Sequence, residues 1–314
     1  MMGMLLDGCL FVLILALALW VVAVRDTFSA VIGYAIYGLL LSLVWVRLHA
    51  IDAALTEAAI GGGLSGILLI GAAVRLRPTE AAAQTRYPRL SIRIWAGLLS
   101  AIVTAALIAV VLSLPDTPPT LAPQVLEHMA STGLGNPVTA VLLAFRSADT
   151  LLEAIVLMLA LIAVWSLTPN QLWGSRPGNT TQTDPNSMLV YLARLLPPIG
   201  IVIAVYILWV GADLPGGKFQ AGTLLATMVL LLLMAGLIKL PPMSRRWLRI
   251  ALVAGTTVFL AIGFAGIPLA GSFLAYPEGF AKPLIILIEF ASMASIAVTL
   301  ALLVAGNPER REKT

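Results

Sequence analysis

Long apolar segments separated by short polar ones dominate this chain. A transmembrane helix needs about 20 mostly apolar residues, and nine segments meet that requirement. They are residues 4–24, 28–46, 52–74, 91–112, 143–167, 189–211, 219–238, 247–265 and 283–305. The fifth is expected to begin as a helix before it enters the bilayer, since no helix breaker follows Pro137. The seventh is expected to end at Pro241 and Pro242, because proline cannot continue a helix. The pattern predicts an all-α, polytopic bundle of transmembrane helices.

The distribution of basic residues predicts how this bundle is oriented. Lysine and arginine are enriched in the short cytoplasmic loops of membrane proteins. Here they cluster in segments 75–93 and 239–249 and in the tail 306–314, which nine spans place on one side. The opposite loops carry Asp116, Glu127, Asp213 and Glu278, with Lys218 and Lys282 as their basic residues. We therefore expect the N-terminus outside, with its first apolar segment retained, and the C-terminus in the cytoplasm.

Two polar segments divide the chain into units. A proline-rich stretch is expected outside, and a run of turn-forming residues is expected inside as a linker. The predicted units are 1–112 with spans one to four, 113–167 with the outer loop and fifth span, the linker 168–187, the four-span unit 188–305, and the charged tail 306–314.

Composition places the chain in the membrane class and excludes several kinds of site. It is 60% hydrophobic and 11% charged, whereas soluble domains carry about 25% charged residues. The net charge of +4 comes from loops and gives no support for nucleic-acid binding. The single cysteine, Cys9, rules out an intrachain disulfide, and with His49 and His128 it matches no zinc, haem or iron–sulfur pattern. We expect no bound cofactor or metal centre.

The first cluster with possible chemistry opens the third span. Asp52 is expected to cap that helix, where its carboxylate meets the positive helix end. Glu57 lies about 8 Å further along at helical rise, and it either makes a structural hydrogen bond or serves an ion pathway. The run Gly61, Gly62 and Gly63 favours close helix packing, with a π-bulge as the less favoured alternative.

The second cluster puts three ionisable residues into eight positions of the fifth span. Arg146 is expected to pair with Asp149 one turn later. Glu153 lies one turn beyond Asp149 and is not adjacent to Arg146, so burial would favour its neutral form. A carboxyl poised between its two forms can pass protons or coordinate sodium. The alternative is a charge network that only orients helices.

Two further features complete the candidate set. The turn Pro215-Gly216-Gly217 before the seventh span is interpreted as a tight, packed turn rather than an anion site. Glu289 is the one ionisable residue inside the ninth span, so any charged partner of Glu289 must come from another helix or subunit. The spacing places Glu57, Glu153 and Glu289 at a similar depth in the outer half of the bilayer.

The lysines and prolines suggest a subunit rather than a complete carrier. All four lysines fall at span ends or outside the spans, and no span has one at its centre. No pair of spans shows the proline-broken pattern expected of a transporter core. The chain thus has acidic residues in its spans without evident alternating-access machinery.

At these clusters the chain resembles the Mrp-type multisubunit cation/proton antiporters, relatives of the membrane arm of complex I. Residues 1–74, with the run from Asp52 to Gly63, look like the small domain after the antiporter-like core of the largest Mrp subunit, and are also similar to a small subunit of membrane-bound hydrogenases. Residues 91–167 look like the next domain of that subunit. Residues 188–305, with Pro215 to Gly222, look like the MnhB/MrpB subunit.

The resemblance implies roles for several residues and partners. In that family the carboxylates matching Glu57, Asp149 and Glu153 are implicated in ion movement. Lys218 stands where the B-type turn usually has a glycine, and a left-handed backbone there would be strained for lysine. The antiporter-like core itself is absent, so it is expected from another polypeptide. The expected partners are thus other hydrophobic subunits, the lipid bilayer, and Na⁺ or H⁺.

These observations leave three functions open. The first is a non-enzymatic Mrp-type subunit in the cytoplasmic (inner) membrane that supplies part of a Na⁺ or H⁺ path through Asp52, Glu57, Arg146, Asp149, Glu153 and Glu289. The second is an ion-translocating coupling subunit of a membrane-bound hydrogenase or another complex I-like redox complex. The third is a structural adaptor between antiporter subunits. A carboxylate serves Na⁺ and H⁺ alike, so the sequence does not distinguish the two ions.

Overall fold

The regular structure of this protein is helical, as the apolar pattern predicts. The computed structural model describes residues 2–83, 90–115, 119–177 and 187–308, and no strand occurs among them. Twelve α-helices fall in these ranges: α1 Met2–Ala23, α2 Thr27–Arg47, α3 Ile51–Thr56, α4 Ser65–Ala83, α5 Leu90–Leu112, α6 Ala122–Thr132, α7 Pro137–Ala140, α8 Ser147–Ser166, α9 Met188–Val210, α10 Lys218–Met234, α11 Arg246–Ala270 and α12 Ala281–Ala305.

Two π-helical segments interrupt the α-helices. The first π-helical segment is Glu57–Leu64, between α3 and α4, and the second is Val141–Phe145, between α7 and α8. The glycine run of the sequence lies within the first of them. Close packing was the favoured expectation and a bulge the less favoured one, yet the structure has both. Three consecutive glycines leave the backbone free to widen its turn and let another helix approach.

The described residues contain eight helical segments long and apolar enough to cross a membrane, so the predicted polytopic bundle is confirmed. The seventh predicted span is the exception, because α10 has 17 residues and ends at Met234. The chain leaves the helix at Gly236, whose φ of 70° is left-handed, before it reaches Pro241. Residues 178–186 of the predicted linker, Asp116, Arg86, Arg89 and the tail beyond 308 lie outside the described residues.

The best-packed part of the protein is the C-terminal helix bundle. Helix α12 packs against both α10 and α11, and α9 packs against α10. Helix α8 joins this bundle through contacts with α11 and α12. Phe259, Ile285 and Ile288 are 0% exposed and form the centre of a core that also includes Leu143 and Leu151. The second half of the chain thus builds a well-packed frame against which the fifth predicted span lies.

The N-terminal helices form a smaller layer against this frame. Helix α1 packs on α2, and α2 packs on the first π-helical segment and α4. The closest approach is at Gly38 and Gly62, which face each other without side chains. The first π-helical segment then reaches α10, and Leu64 joins a buried cluster with Ala226 and Ile296. Helix α5 differs from the others because none of its residues is buried.

We predict that Gly38→Ala destabilises this layer. A Cβ atom at residue 38 would lie 2.8 Å from both the Cα and the N atom of Gly62, and backbone atoms cannot move aside easily. Overpacking of this kind costs roughly 1–3 kcal/mol. Thermal unfolding of the purified protein with its partner subunits should therefore occur at lower temperature.

Gly71→Ala is the matched control, because a Cβ atom there meets nothing within 4 Å. It should be neutral or slightly stabilising, since alanine favours a helix over glycine by about 1 kcal/mol. Equal unfolding temperatures for Gly38→Ala and Gly71→Ala would contradict the close packing of α2 on the first π-helical segment.

Candidate functional site

A cavity of about 870 Å³ lies where the N-terminal layer, the 137–166 region and the C-terminal bundle meet. The three glutamates that spacing placed at similar depth, Glu57, Glu153 and Glu289, all line it. Asp52, Asn136 and Lys218 also line the cavity. The structure therefore gathers most of the ionisable residues of the spans around one space.

Asp52 holds three parts of the chain together at the rim of this cavity. Its Oδ1 atom accepts hydrogen bonds from the backbone N–H of Gly216 at 3.0 Å and from Nδ2 of Asn136 at 3.3 Å. The predicted role of Asp52 as helix cap was wrong, because α3 begins at Ile51 and its cap is Ala50. Asp52 lies inside the first turn, and its carboxylate is directed to neighbouring segments.

Asn136 is the counterpart of Asp52 and is 3% exposed. Its Oδ1 accepts from the N–H of Val138 at 2.9 Å and so caps α7. Its Nδ2 also donates to the carbonyls of Gly211 and Leu214, at 3.3 and 3.0 Å. This one amide starts the helix that leads to Glu153 and ties it to the turn before α10.

The Pro215-Gly216-Gly217 turn is tightly packed, as its glycines suggest. Gly216 has a φ of 156° and Gly217 a φ of 141°, and a side chain at Gly216 would collide with the carbonyl of Ile207. The strain expected at Lys218 is not found, because Lys218 is the first residue of α10. The two glycines take the unusual backbone angles, and the lysine takes helical ones.

Lys218 lines the cavity but was not among the candidate site residues predicted from the sequence. It lies at a span end, as expected, but it is 4% exposed. Its Nζ atom has no hydrogen-bond partner among the described residues. The ammonium lies 5.7 Å from the ring centroid of Phe219 and 5.6 Å from that of Phe259, distances at which a cation is attracted to an aromatic face.

Glu289 is one of two carboxylates that interact electrostatically with Lys218. It is 6% exposed, and its carboxylate lies beside the start of α10, where a Cβ atom at Gly217 would be 3.8 Å from both of its oxygens. The other of these two carboxylates is that of Glu153. As expected, the charged partner of Glu289 comes from another helix. Glu153 itself is an exposed residue of α8 whose side chain reaches the cavity.

Glu57 enters the cavity from the first π-helical segment. Its carboxylate folds back onto Gly61, close enough that a Cβ atom at residue 61 would collide with it. One residue earlier, Thr56 accepts a hydrogen bond from Nε2 of Gln220 at 2.9 Å, which links this part of the chain to α10. The absence of a side chain at Gly61 therefore gives the Glu57 carboxylate room beside the widened turn.

The fifth predicted span is broken rather than continuous. Arg146 has φ −131° and ψ 38°, so the helix from Pro137 stops there and α8 starts at Ser147. The broken turn has replacement hydrogen bonds, since Thr150 donates to the carbonyl of Leu142 at 2.5 Å and Tyr276 to that of Leu143 at 2.8 Å. The helix does begin at Pro137, ahead of the predicted span, but a π-helical turn without any proline interrupts it before α8.

Arg146 and Asp149 do form the predicted ion pair, with a distance of 2.6 Å between Nη2 and Oδ2. The pair is not buried in this chain, because the two side chains are 71% and 55% exposed. Neither residue lines the cavity. Asp149 and Glu153 both lie on α8 after the break at Arg146, but of the predicted cluster Glu153 lines the cavity and the ion pair does not.

Sequence signals existed for some of the missed residues. Asn136 before Pro137 is a helix-start pattern, and Lys218 is a lone lysine between a glycine turn and an apolar helix. Tyr276 has no local signal, since its partner Leu143 is far away in sequence. Tyr276 lies in the loop before α12, where burial raises the pKa of its hydroxyl well above the usual value.

Two segments of the chain match known families. Residues 12–78 match the MbhD family, described as the D subunit of MBH. Residues 188–307 match the family described as a domain related to the MnhB subunit of Na⁺/H⁺ antiporters. Asp52 and Glu57 fall within the first match, and Lys218 and Glu289 within the second.

A curated relative and two solved structures resemble larger parts of the chain. The probable A/B subunit of a K(+)/H(+) antiporter from Rhizobium meliloti (strain 1021) is 27% identical over 76% of this chain, which spans 27% of that protein's length. A chain of the Mrp complex from Dietzia sp. DQ12-45-1b has a TM-score of 0.72 at 21% identity. The match covers 98% of this chain and 35% of the Dietzia chain.

A chain of the membrane-bound sulfane sulfur reductase (MBS), an archaeal respiratory membrane complex, has a lower TM-score of 0.56 at 24% identity. The match covers 68% of this chain and 97% of the reductase chain. With eight membrane-length helices among the described residues, the protein is a multi-pass protein of the cytoplasmic (inner) membrane. Residues 12–78 thus resemble MbhD and residues 188–307 resemble an MnhB-related domain, and the chain is similar to an A/B-type antiporter subunit.

Proposed function

We propose that this protein is a membrane component of a Mrp-type cation/proton antiporter that supplies part of the ion path and scaffolds the antiporter-like subunits. The observation that carries the proposal is the shared cavity lined by Asp52, Glu57, Glu153 and Glu289. Acidic residues in a membrane are costly and usually mark ion or proton pathways. The matched families agree with this assignment.

The chemistry of the cavity suits the movement of a cation. A water molecule occupies about 30 Å³ in the liquid, so the space is large enough for several waters between the carboxylates. Carboxyl groups linked by water can take up and release protons, or provide oxygen ligands to Na⁺. Arg146 and Asp149 lie outside this space, so we assign them to the surface of the protein rather than to the path.

We propose that the protein works beside other hydrophobic subunits, among them an antiporter-like core. Large apolar side chains such as Trp95 on α5 and Phe11 on α1 are exposed. Helix α5 has no buried residue at all. Lipid covers part of such a surface, and neighbouring subunits cover the remainder. The redox alternative has weaker support, because the chain of the respiratory complex has the lower TM-score of the two solved structures.

We predict that Glu153→Gln leaves the complex assembled and severely reduces antiport. Glutamine keeps the shape and hydrogen bonding of glutamate but removes its charge and titration. Glu57→Gln should behave similarly. Glu289→Gln should also weaken assembly, because it removes one of the two carboxylates that compensate the charge of the buried Lys218, and an uncompensated buried charge is destabilising. The measurement is antiport in everted vesicles, alongside recovery of the partner proteins.

Glu127→Gln is the matched control for these variants. Glu127 is an exposed residue of α6 and does not line the cavity, so transport should be unchanged. Wild-type antiport in an assembled Glu153→Gln complex would contradict the ion-path assignment and favour the adaptor function.

We predict that Asp52→Ala reduces assembly more than Asp52→Asn. Alanine leaves the Gly216 N–H without its acceptor and removes one acceptor of Asn136, and each buried unsatisfied group costs about 1–3 kcal/mol. Asparagine keeps one oxygen to accept these bonds. Recovery of intact complex after mild detergent extraction measures the difference. If both variants assemble fully and both lose transport, Asp52 serves the ion path, and its hydrogen bonds to Gly216 and Asn136 are not needed for assembly.

We predict that Arg146→Ala leaves the chain inserted but loosens its attachment to neighbouring subunits. An exposed ion pair contributes about 0–1 kcal/mol to its own chain, so the fold should tolerate the change. Arg146→Lys should recover only part of the attachment, because lysine lacks the planar fork of arginine. The check compares the amount of this chain in the membrane with the amount of co-purifying subunits; equal losses of both would contradict a surface role.

A further inference from the structure

The ammonium of Lys218 is in an unusual position for a lysine in a membrane protein. Such side chains normally extend to the interface and keep the charged end in water. Lys218 is instead 4% exposed, at the start of α10 and on the wall of the cavity. Its Nζ has no hydrogen-bond partner among the described residues, although an ammonium has three hydrogens to donate.

The surroundings of this ammonium compensate its charge without fixing it in one ion pair. Glu289 and Glu153 act on it electrostatically from α12 and α8. The rings of Phe219 and Phe259 offer their faces at 5.7 and 5.6 Å, and Phe259 is 0% exposed. Carboxylates at a distance together with aromatic faces are what holds a monovalent cation in a site poor in hydrogen-bond acceptors.

The charges of the cavity explain why a cation is needed there. The carboxylates of Asp52, Glu57, Glu153 and Glu289 line the cavity. Among the described residues, Lys218 is the one lysine or arginine in that lining. Asp213 also reaches the lining, but its carboxylate is already bound by Lys282 at 2.6 Å. Without Lys218, Glu289 would lose its buried positive neighbour, and its charge would be neutralised either by a cation from solution or by a proton.

We infer that the Lys218 ammonium is the resident cation of this cavity, occupying a place near Glu289 and Glu153 that a free alkali-metal ion would otherwise take. The attached charge therefore excludes Na⁺ and K⁺ from this place, and protons are the ions that its carboxylates exchange. The statement about protons rests on the proposed function, whereas the occupancy by Lys218 is a statement about binding alone.

The test measures cation binding to the purified complex, without any transport assay. Wild type is compared with Lys218→Met, which keeps the length and removes the charge, and with Lys218→Arg, which keeps the charge. Unfolding temperature is recorded in NaCl, KCl and choline chloride at equal ionic strength. Lys218→Met should unfold at a higher temperature in NaCl or KCl than in choline chloride, with an apparent cation affinity about tenfold or more above that of wild type. Wild type and Lys218→Arg should show no such difference between the salts.

The double variant Lys218→Met/Glu289→Gln separates this site from cation sites elsewhere in the complex. It should lose the cation response gained by Lys218→Met, because the carboxylate that needs the cation is gone. If Lys218→Met assembles only in NaCl or KCl, that rescue supports the inference. A failure to assemble in every salt would overturn it, because a free cation then does not replace the ammonium.

Two further results would also overturn the inference. One is an assembled Lys218→Met complex that responds to salts as wild type does. The other is a wild-type response to Na⁺ or K⁺ that Glu289→Gln abolishes, since the cavity would then hold a free ion despite Lys218. The proposed function fails separately, through unchanged antiport in Glu153→Gln, and that result leaves the binding measurement intact.

Discussion

The Asp52 carboxylate is the contact on which the arrangement of this protein depends. It lies on α3 and accepts hydrogen bonds from the backbone of Gly216 and the side chain of Asn136, so it joins segments that are far apart in sequence. In a membrane, irregular backbone is tolerated where its polar groups are satisfied by protein or by a water-filled cavity. The turn before α10 and the start of α7 meet that condition through Asp52, and the cavity forms where they meet.

The two helix interruptions follow the same constraint. The widened turn at Glu57–Leu64 is packed against α2 through Gly38 and Gly62. The break at Arg146 is stabilised by Thr150 and Tyr276, which donate to the carbonyls left without helical partners. Broken helices at a binding site expose backbone dipoles and carbonyl oxygens to the space beside them. Both interruptions in this chain lead directly into residues that line the cavity.

Much of the fold and about half of the site were predictable from sequence. Spans are predictable because 20 apolar residues have few alternatives, and Glu57, Glu153 and Glu289 stand out because charges are rare in such segments. Lys218 did not stand out, because its burial depends on how α10 meets α11 and α12. The predicted face of Arg146, Asp149 and Glu153 assumed a regular helix, whereas the break depends on Tyr276, a contact that no local pattern contains.

The balance of charge in the cavity limits how it can work as a path. A site that passes ions must attract them and also release them. Four carboxyl groups in a space of low polarity would hold a cation tightly if all were ionised and unopposed. One buried ammonium beside Glu289 reduces that attraction, while Glu153, more exposed on α8, stays accessible. Under the proposed function, Lys218 would set the cation affinity of the cavity, and mobile ions would be exchanged at the carboxyl groups around it.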